Sequence, residues 1–267
     1  TLVFSSGTTK SGDSGDILIG TGLATAGNGG SVIVTVGKGD TTNGGDIVIE
    51  AGESTAAGKN GGVVTVTAGK GAAEGGHVLV TAGFGGSSSG GAISVVSGAG
   101  STTSSGAVSI LSADTDTSGV TGDLMFSSGT ATSGTSGVIT IGSGSATNGA
   151  AGAVSVTVGH SNKGDASAMT LTAGETTNGF GGAMTITAGK GSTSGGSVTL
   201  TAGVGTANTG GHVTIASGAG TAQSSGHLTV RTANSVTAGV SGTLVFSSGT
   251  TKSGDSGDIL IGTGLAT

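Results

Sequence analysis

SGDSGDILIGTG occupies residues 11–22 and returns, letter for letter, at residues 253–264. The identity extends outward until all of Thr1–Thr25 reappears as Thr243–Thr267. Inside the stretch, Gly15 introduces Asp-Ile-Leu-Ile before small residues lead to Gly22. The same grammar governs Gly30-Ser-Val-Ile-Val-Thr-Val-Gly37 and Gly196-Ser-Val-Thr-Leu-Thr-Ala-Gly203. A glycine opens each unit, aliphatic residues alternate, and a small residue with a second glycine closes it. Seventeen such anchors run from Gly15 through Gly30, Gly45 and Gly62 to Gly242 and Gly257, spaced 14–17 residues apart, with Ser167 the single non-glycine. Self-similarity at a short fixed period is the mark of a repeat architecture.

Strict alternation has a period of two and predicts strands with one face turned inward. The inward pairs are Ile17/Ile19, Val32/Val34, Ile47/Ile49, Val64/Val66 and Val78/Val80, continuing through Leu124/Phe126, Met169/Leu171 and Leu228/Val230 to Ile259/Ile261. A glycine recurs seven residues past the anchor at Gly22, Gly37, Gly52, Gly69, Gly83, Gly98, Gly129, Gly144 and Gly159. The reading assigns it a corner with φ > 0, where only glycine enters cheaply. One unit buries about two or three aliphatic side chains at roughly 1.5–3 kcal/mol each. Ordering its residues costs about 1–2 kcal/mol apiece, so a lone unit is unstable and stacking on neighbours is required. The expectation is an all-β chain, a β-solenoid (β-helix) with coils of about fifteen residues and no capping coils.

A longer period lies above the short one. DLMFSSGTATSGTSGVITIGSGSAT, from Asp123, echoes the opening TLVFSSGTTKSGDSGDILIGTGLAT. Residues 1–122 form one eight-coil block, 123–242 a second, and 243–267 the start of the next 242-residue repeat. The termini are expected to be an arbitrary window on a longer tandem array.

Composition narrows the function classes. Of 267 residues, 61 are Gly and none is Pro, Cys, Trp or Tyr; 33% are hydrophobic and only 8% charged. Mean hydropathy is above zero, which speaks against a solvated coil. A net charge of −6 without a basic run argues against a nucleic-acid partner. No apolar run reaches the length of a membrane span. Disulfides and thiolate metal sites are excluded by the lack of cysteine.

The tempting motifs reduce to turns. Gly12-Asp-Ser-Gly15 spells the surroundings of a serine-protease nucleophile, but its counterpart is Gly134-Thr-Ser-Gly137 and no His/Asp partner accompanies either. Pairs such as Gly37-Lys-Gly39 and Gly83-Phe-Gly85 lack the spacing and the following helix of a phosphate loop. With one Arg and no carboxylate cluster, no enzyme is expected. Asp114 and Asp116 leave a weak opening for calcium; otherwise no cofactor or metal is expected, and His212 and His227 read as exposed neutral side chains.

Two rows of outward residues carry the interaction hypotheses. Val3, Leu18, Ile33, Val48 and Leu79, at the third position of their units, form an apolar stripe suited to lateral packing against another copy. Thr170, Thr172, Thr185, Thr187, Thr199 and Thr201 form three Thr-x-Thr rungs. That ladder looks like the ice-binding face of insect antifreeze solenoids, although the disulfides of those proteins are missing here.

The units SGDSGDILIGTG and SGTSGVITIGSG resemble the Gly/Ser/Thr-rich short-repeat extracellular proteins of algae, diatoms especially. They are more loosely similar to bacterial β-solenoid adhesins. The resemblance implies a secreted or cell-surface chain with a structural or adhesive role: a segment of a long filament, stalk or adhesive fibre, self-associating end to end and laterally. The alternative is a surface-binding module for ice, mineral or glycan that uses the Thr/Ser ladder.

Overall fold

The computed structural model describes residues 2–116 and 118–264. Thr117, and Thr1 and Leu265–Thr267 at the outer ends of the repeated segment, lie outside the described residues. The fifteen-residue rhythm is carried by the backbone. The chain bends at 10–12, 25–27 and 40–42, and goes on bending at similar intervals to 252–254. Each bend falls in the small polar stretch between one aliphatic run and the next, where Gly, Ser, Asn and Thr favour turning. The aliphatic runs themselves form neither helix nor strand among the described residues.

The chain divides into two units, Thr1–Gly137 and Val138–Thr267. In the first, four successive polar stretches are closed into rings by one backbone hydrogen bond each. The N–H of anchor Gly62 donates to the carbonyl of Gly52, Gly76 to Gly69, Gly91 to Gly83 and Gly106 to Gly98, all at 2.9 Å. In the second unit the pattern returns, with Gly182 donating to Gly174, Gly196 to Gly189, Gly211 to Gly203 and Gly226 to Gly218, again at 2.9 Å. Each donor glycine lies 120 residues after its counterpart in the first unit, as do the acceptors except Gly174, which lies 122 after Gly52.

Side-chain size accounts for part of the difference between closed and open stretches. In a closed ring the anchor glycine sits against the small residue that precedes the corner glycine. A Cβ added to Gly76, Gly91, Gly196 or Gly211 would lie 3.4–3.5 Å from the Cβ of Ala68, Ala82, Ala188 or Ala202. Where that small residue is replaced by a β-branched one, the ring does not close. Val36 would place its Cγ1 only 2.8 Å from a Cβ on Gly45, and Thr21 crowds Gly30 at 3.2 Å. Thr21 offsets the loss by donating its hydroxyl to the Gly30 carbonyl at 3.1 Å. The stretches after Gly7, Gly129, Gly144 and Gly249 stay open although Ser6, Ser128, Ser143 and Ser248 in this place are small, and nothing in the structure explains them.

This architecture overturns the β-solenoid. No described residue is in a strand, and no aliphatic run hydrogen-bonds to the run before or after it. Among the described residues, the nine backbone–backbone bonds are the eight ring closures and one turn, Lys59 to Ala56, where a folded chain of this length would hold about one bond per residue. Nor is there a core: no described residue is buried. The solvent-accessible surface is 26292 Å², against about 10,000 Å² for a folded monomer of this mass and about 35,000 Å² for a fully unfolded chain. The physical reason lies in the loops. With 61 glycines the entropy of ordering is high, and each ring satisfies its closing groups locally instead of aiming the next run onto its neighbour.

Whatever rested on stacked coils falls with them. The likeness to ordered solenoid repeat proteins does not extend to the fold. The filament, stalk or adhesive fibre of solenoid repeats lacks its rungs, and the surface-binding module lacks the rigid face on which a Thr ladder would be aligned. The corner glycines are corrected as well. Of the nine assigned φ > 0, only Gly129 has it, at 76°. The others serve as carbonyl acceptors or plain connectors, and nothing lies within 4 Å of a Cβ added to Gly52, Gly69, Gly83 or Gly98.

Candidate functional site

The conformationally demanding glycine is elsewhere in the ring, two residues past the corner. A Cβ on Gly100 would stand 2.5 Å from the carbonyl oxygens of both Thr103 and Ser104. Gly71 meets the Glu74 carbonyl, Gly85 those of Ser88 and Ser89, and Gly205 those of Asn208 and Thr209 in the same way. In these rings the first glycine of a Gly-x-Gly pair accepts the closing bond and the second leaves room for carbonyls opposite; Gly39 makes the same close approach in an open stretch, and the rings from Gly52 and Gly174 have Ser54 and Thr176 in the second place. Sequence reasoning placed these pairs in corners but missed the division of labour. The signal available was the regular two-residue offset between the glycines.

Gly12-Asp-Ser-Gly15 is a turn in the structure. Gly12 has φ 91°, and its counterparts Gly134 and Gly254 have 104° and 98°. Thr9 donates its hydroxyl to the Gly12 carbonyl at 2.8 Å. Asp114 and Asp116 are exposed, as are His212 and His227. Among the described residues, no group of three or more His, Cys, Asp or Glu is placed to hold a metal ion. A shallow depression is lined by Glu175, Thr176 and Thr177, a single carboxylate beside two threonines. Among the described residues, no helix is long and apolar enough to cross a membrane.

What the chain presents in quantity is aliphatic surface. The stripe residues Val3, Leu18, Ile33, Val48 and Leu79 are 71–86% exposed; Ile17, Val32, Ile47 and Val78, one position before the last four, are 53–57% exposed, whereas Leu2 before Val3 is 82% exposed. The alternation therefore survives as a bias in exposure. It is weaker than an inward pair requires, because the fourth-position Ile19, Val34, Ile49 and Val80 are as open as the stripe, at 71–79%. The six ladder threonines, Thr170, Thr172, Thr185, Thr187, Thr199 and Thr201, are all exposed and take part in no hydrogen bond of the ring or turn type. No sheet sets one rung of the stripe or the ladder in register with the next.

Seven of the eleven half-buried positions among the described residues are small residues beneath the anchor glycines of closed rings: Ala51, Ala68, Ala82 and Ser97 in the first unit, and Ala173, Ala188 and Ala202 in the second; the others are Ser54, Gly85, Thr232 and Ser248. The packing of this chain is accordingly local, ring by ring, and its large apolar side chains are left over. No family model, no curated protein and no solved structure matches the chain.

Proposed function

We propose that this chain is a non-catalytic, self-associating repeat whose aliphatic rows are covered by those of a second copy. The observation that carries the reading is the regular display of large aliphatic side chains with no core beneath them, Leu18 at 86% and Ile33 at 79% among them. Apolar surface of this extent is stable in water only when something covers it. A second copy suits best because its own runs recur at the same spacing, so contact at one run brings the next into reach. Self-repulsion is small, since only 8% of residues are charged. The same charge balance, −6 with no basic cluster, supports the absence of a nucleic-acid partner. The compositional likeness of the Gly/Ser/Thr-rich units to extracellular short-repeat proteins supports a place outside the cell or at its surface.

Sedimentation velocity over a range of concentrations tests the proposal. The wild-type chain moves from monomer to larger species as concentration rises. The triple substitution Leu18→Ser, Ile33→Ser and Val48→Ser weakens that shift, because each leucine or isoleucine removed forfeits about 1.5–3 kcal/mol of burial. A wild-type chain that stays monomeric at every concentration, or a triple variant that associates as well as the parent, overturns it.

A further inference from the structure

Five of the eight asparagines are followed directly by glycine: Asn28, Asn43, Asn60, Asn148 and Asn178. All five stand exposed in the polar stretches, and four of the five, Asn60 being the exception, fall within or next to a bend. Among the described residues, the amides of Gly29, Gly44, Gly61, Gly149 and Gly179 donate no backbone hydrogen bond. Nothing lies within 4 Å of a Cβ position on Gly29, Gly44 or Gly149. The amide nitrogen is therefore free of backbone bonds at all five and unshielded at Gly29, Gly44 and Gly149, while Gly61 has the Gly52 carbonyl and Gly179 the Thr176 side chain nearby.

We infer that these five Asn-Gly pairs are sites of self-modification, at which the asparagine converts to aspartate or isoaspartate at a rate set by whether its ring is closed. The following glycine nitrogen gives up its proton to solvent base and bonds to the asparagine Cγ. The Cγ–Nδ2 bond breaks and ammonia leaves with a proton, forming a five-membered imide. Water then opens either of the two imide C–N bonds, giving the ordinary or the isomeric acid. No oxidant or enzyme enters. Each event replaces a neutral amide with a carboxylate, so complete conversion of the five takes the formal net charge from −6 to −11.

Ring closure divides the sites. Attack requires the Asn backbone to rotate until the next nitrogen meets Cγ, and a closed ring resists that rotation. Asn60 lies in the ring closed by Gly62 and Gly52, beside the Lys59-to-Ala56 turn bond at 3.2 Å. Asn178 lies in the ring closed by Gly182 and Gly174, and its own N–H donates to Thr176 Oγ1 at 3.3 Å. Asn28, Asn43 and Asn148 lie in stretches without a closing backbone–backbone bond, the first bridged only by the Thr21 hydroxyl on the Gly30 carbonyl. Asn162, Asn208 and Asn234 are built-in controls, because Lys163, Thr209 and Ser235 follow them and carry side chains that hinder attack.

Incubating the full chain in mildly alkaline buffer and following each site by peptide mass mapping, with isoaspartate detection, tests this. Asn28, Asn43 and Asn148 convert several-fold faster than Asn60 and Asn178, and all five convert several-fold faster than the three controls. In the triple variant Gly29→Ala, Gly44→Ala and Gly149→Ala, the three fast sites slow to the rate of the controls while Asn60 and Asn178 are unchanged. The open space at those glycines makes the substitution sterically free, so slowing reports blocked attack. Controls that keep pace with the Asn-Gly sites, or a triple variant that converts at the parental rate, overturn the assignment. Equal rates at Asn28 and Asn60 overturn the role of ring closure. The readout is a mass at a residue and is independent of whether the chain self-associates.

Discussion

Alanine placed at Gly98 and alanine placed at Gly100 should have opposite effects, although the two positions are two residues apart in the same ring. The ring is closed by the Gly106 N–H donating to the Gly98 carbonyl at 2.9 Å. One such bond contributes about 1 kcal/mol net, which protects the Gly106 amide from exchange about fivefold. At Gly100 a Cβ would sit 2.5 Å from two carbonyl oxygens, those of Thr103 and Ser104, about half an ångström inside the closest approach a real Cβ makes. Both obstacles are backbone, so the ring must open to admit the methyl group and the closing bond is lost. At Gly98 nothing lies within 4 Å, and its φ is outside the left-handed region. There alanine acts only on the open chain, lowering its entropy by about 0.4–1 kcal/mol and raising protection of Gly106 by a further factor of about two to five. Amide hydrogen exchange followed by NMR reads both variants at the same proton. Protection retained in Gly100→Ala, or lost in Gly98→Ala, would refute the account of which glycine the ring needs.

Other outcomes follow from the same geometry. Val36→Ala removes the Cγ1 that crowds Gly45, so the ring between Gly37 and Gly45 closes and the Gly45 amide gains protection of about fivefold in hydrogen exchange. Thr21→Ala has a smaller effect on Gly30, because it removes both the crowding and the 3.1 Å hydroxyl bond that compensates for it. With no described residue buried, the dilute chain shows no cooperative heat-absorption peak on calorimetry and no strand band in far-ultraviolet circular dichroism. A sharp transition under those conditions would mean that a core exists.

The period was legible in the sequence to within a residue, because glycine anchors and polar bends recur together. So was the exposure bias between Ile17 and Leu18, since alternation follows from the geometry of an extended run. Pairing was not legible. Alternation says which side of a run could be covered, and leaves open whether the chain's own neighbour supplies the cover. The loops decide that, and their effect turns in part on the size of one side chain: alanine at 68 or 82 allows the ring to close, while valine at 36 prevents it. Recurring glycines suggested left-handed corners, yet those positions are open, and the close approach falls two residues on, at Gly71, Gly85 and Gly100, against carbonyls three or four residues away. Of the candidate surface, the stripe residues are exposed along with the other large aliphatics and are not set apart by it; the small residues beneath the anchors, which pack within the closed rings, were not singled out.

The repeated segment shows why no single arrangement wins. The same residues occur near both ends of the chain, and their local geometry differs. Gly7 has φ 85°, whereas its identical counterpart Gly249 is not in the left-handed region. Ser5 accepts a bond from the Gly7 N–H at 3.2 Å, but the matching Ser247 donates its hydroxyl to the Ser248 carbonyl at 3.0 Å. Thr9 donates to the Gly12 carbonyl, while Thr251 donates to that of Ser253. Leu2 is 82% exposed and Leu244 is 48% exposed. Identical residues that settle into different turn bonds have alternatives close in energy, separated by less than one hydrogen bond's net contribution of about 1 kcal/mol. A folded core removes that degeneracy by coupling each turn to the burial of side chains elsewhere. Here nothing couples one ring to the next, so selection among turn geometries falls to whatever covers the aliphatic runs. Association with a second copy should therefore bring the two copies of the segment to one common geometry. Isotope labelling of Gly7 and Gly249 gives two distinct amide signals in the dilute chain and one shared environment in the associated chain; signals that remain apart after association would show that the turns are set locally and not by the partner.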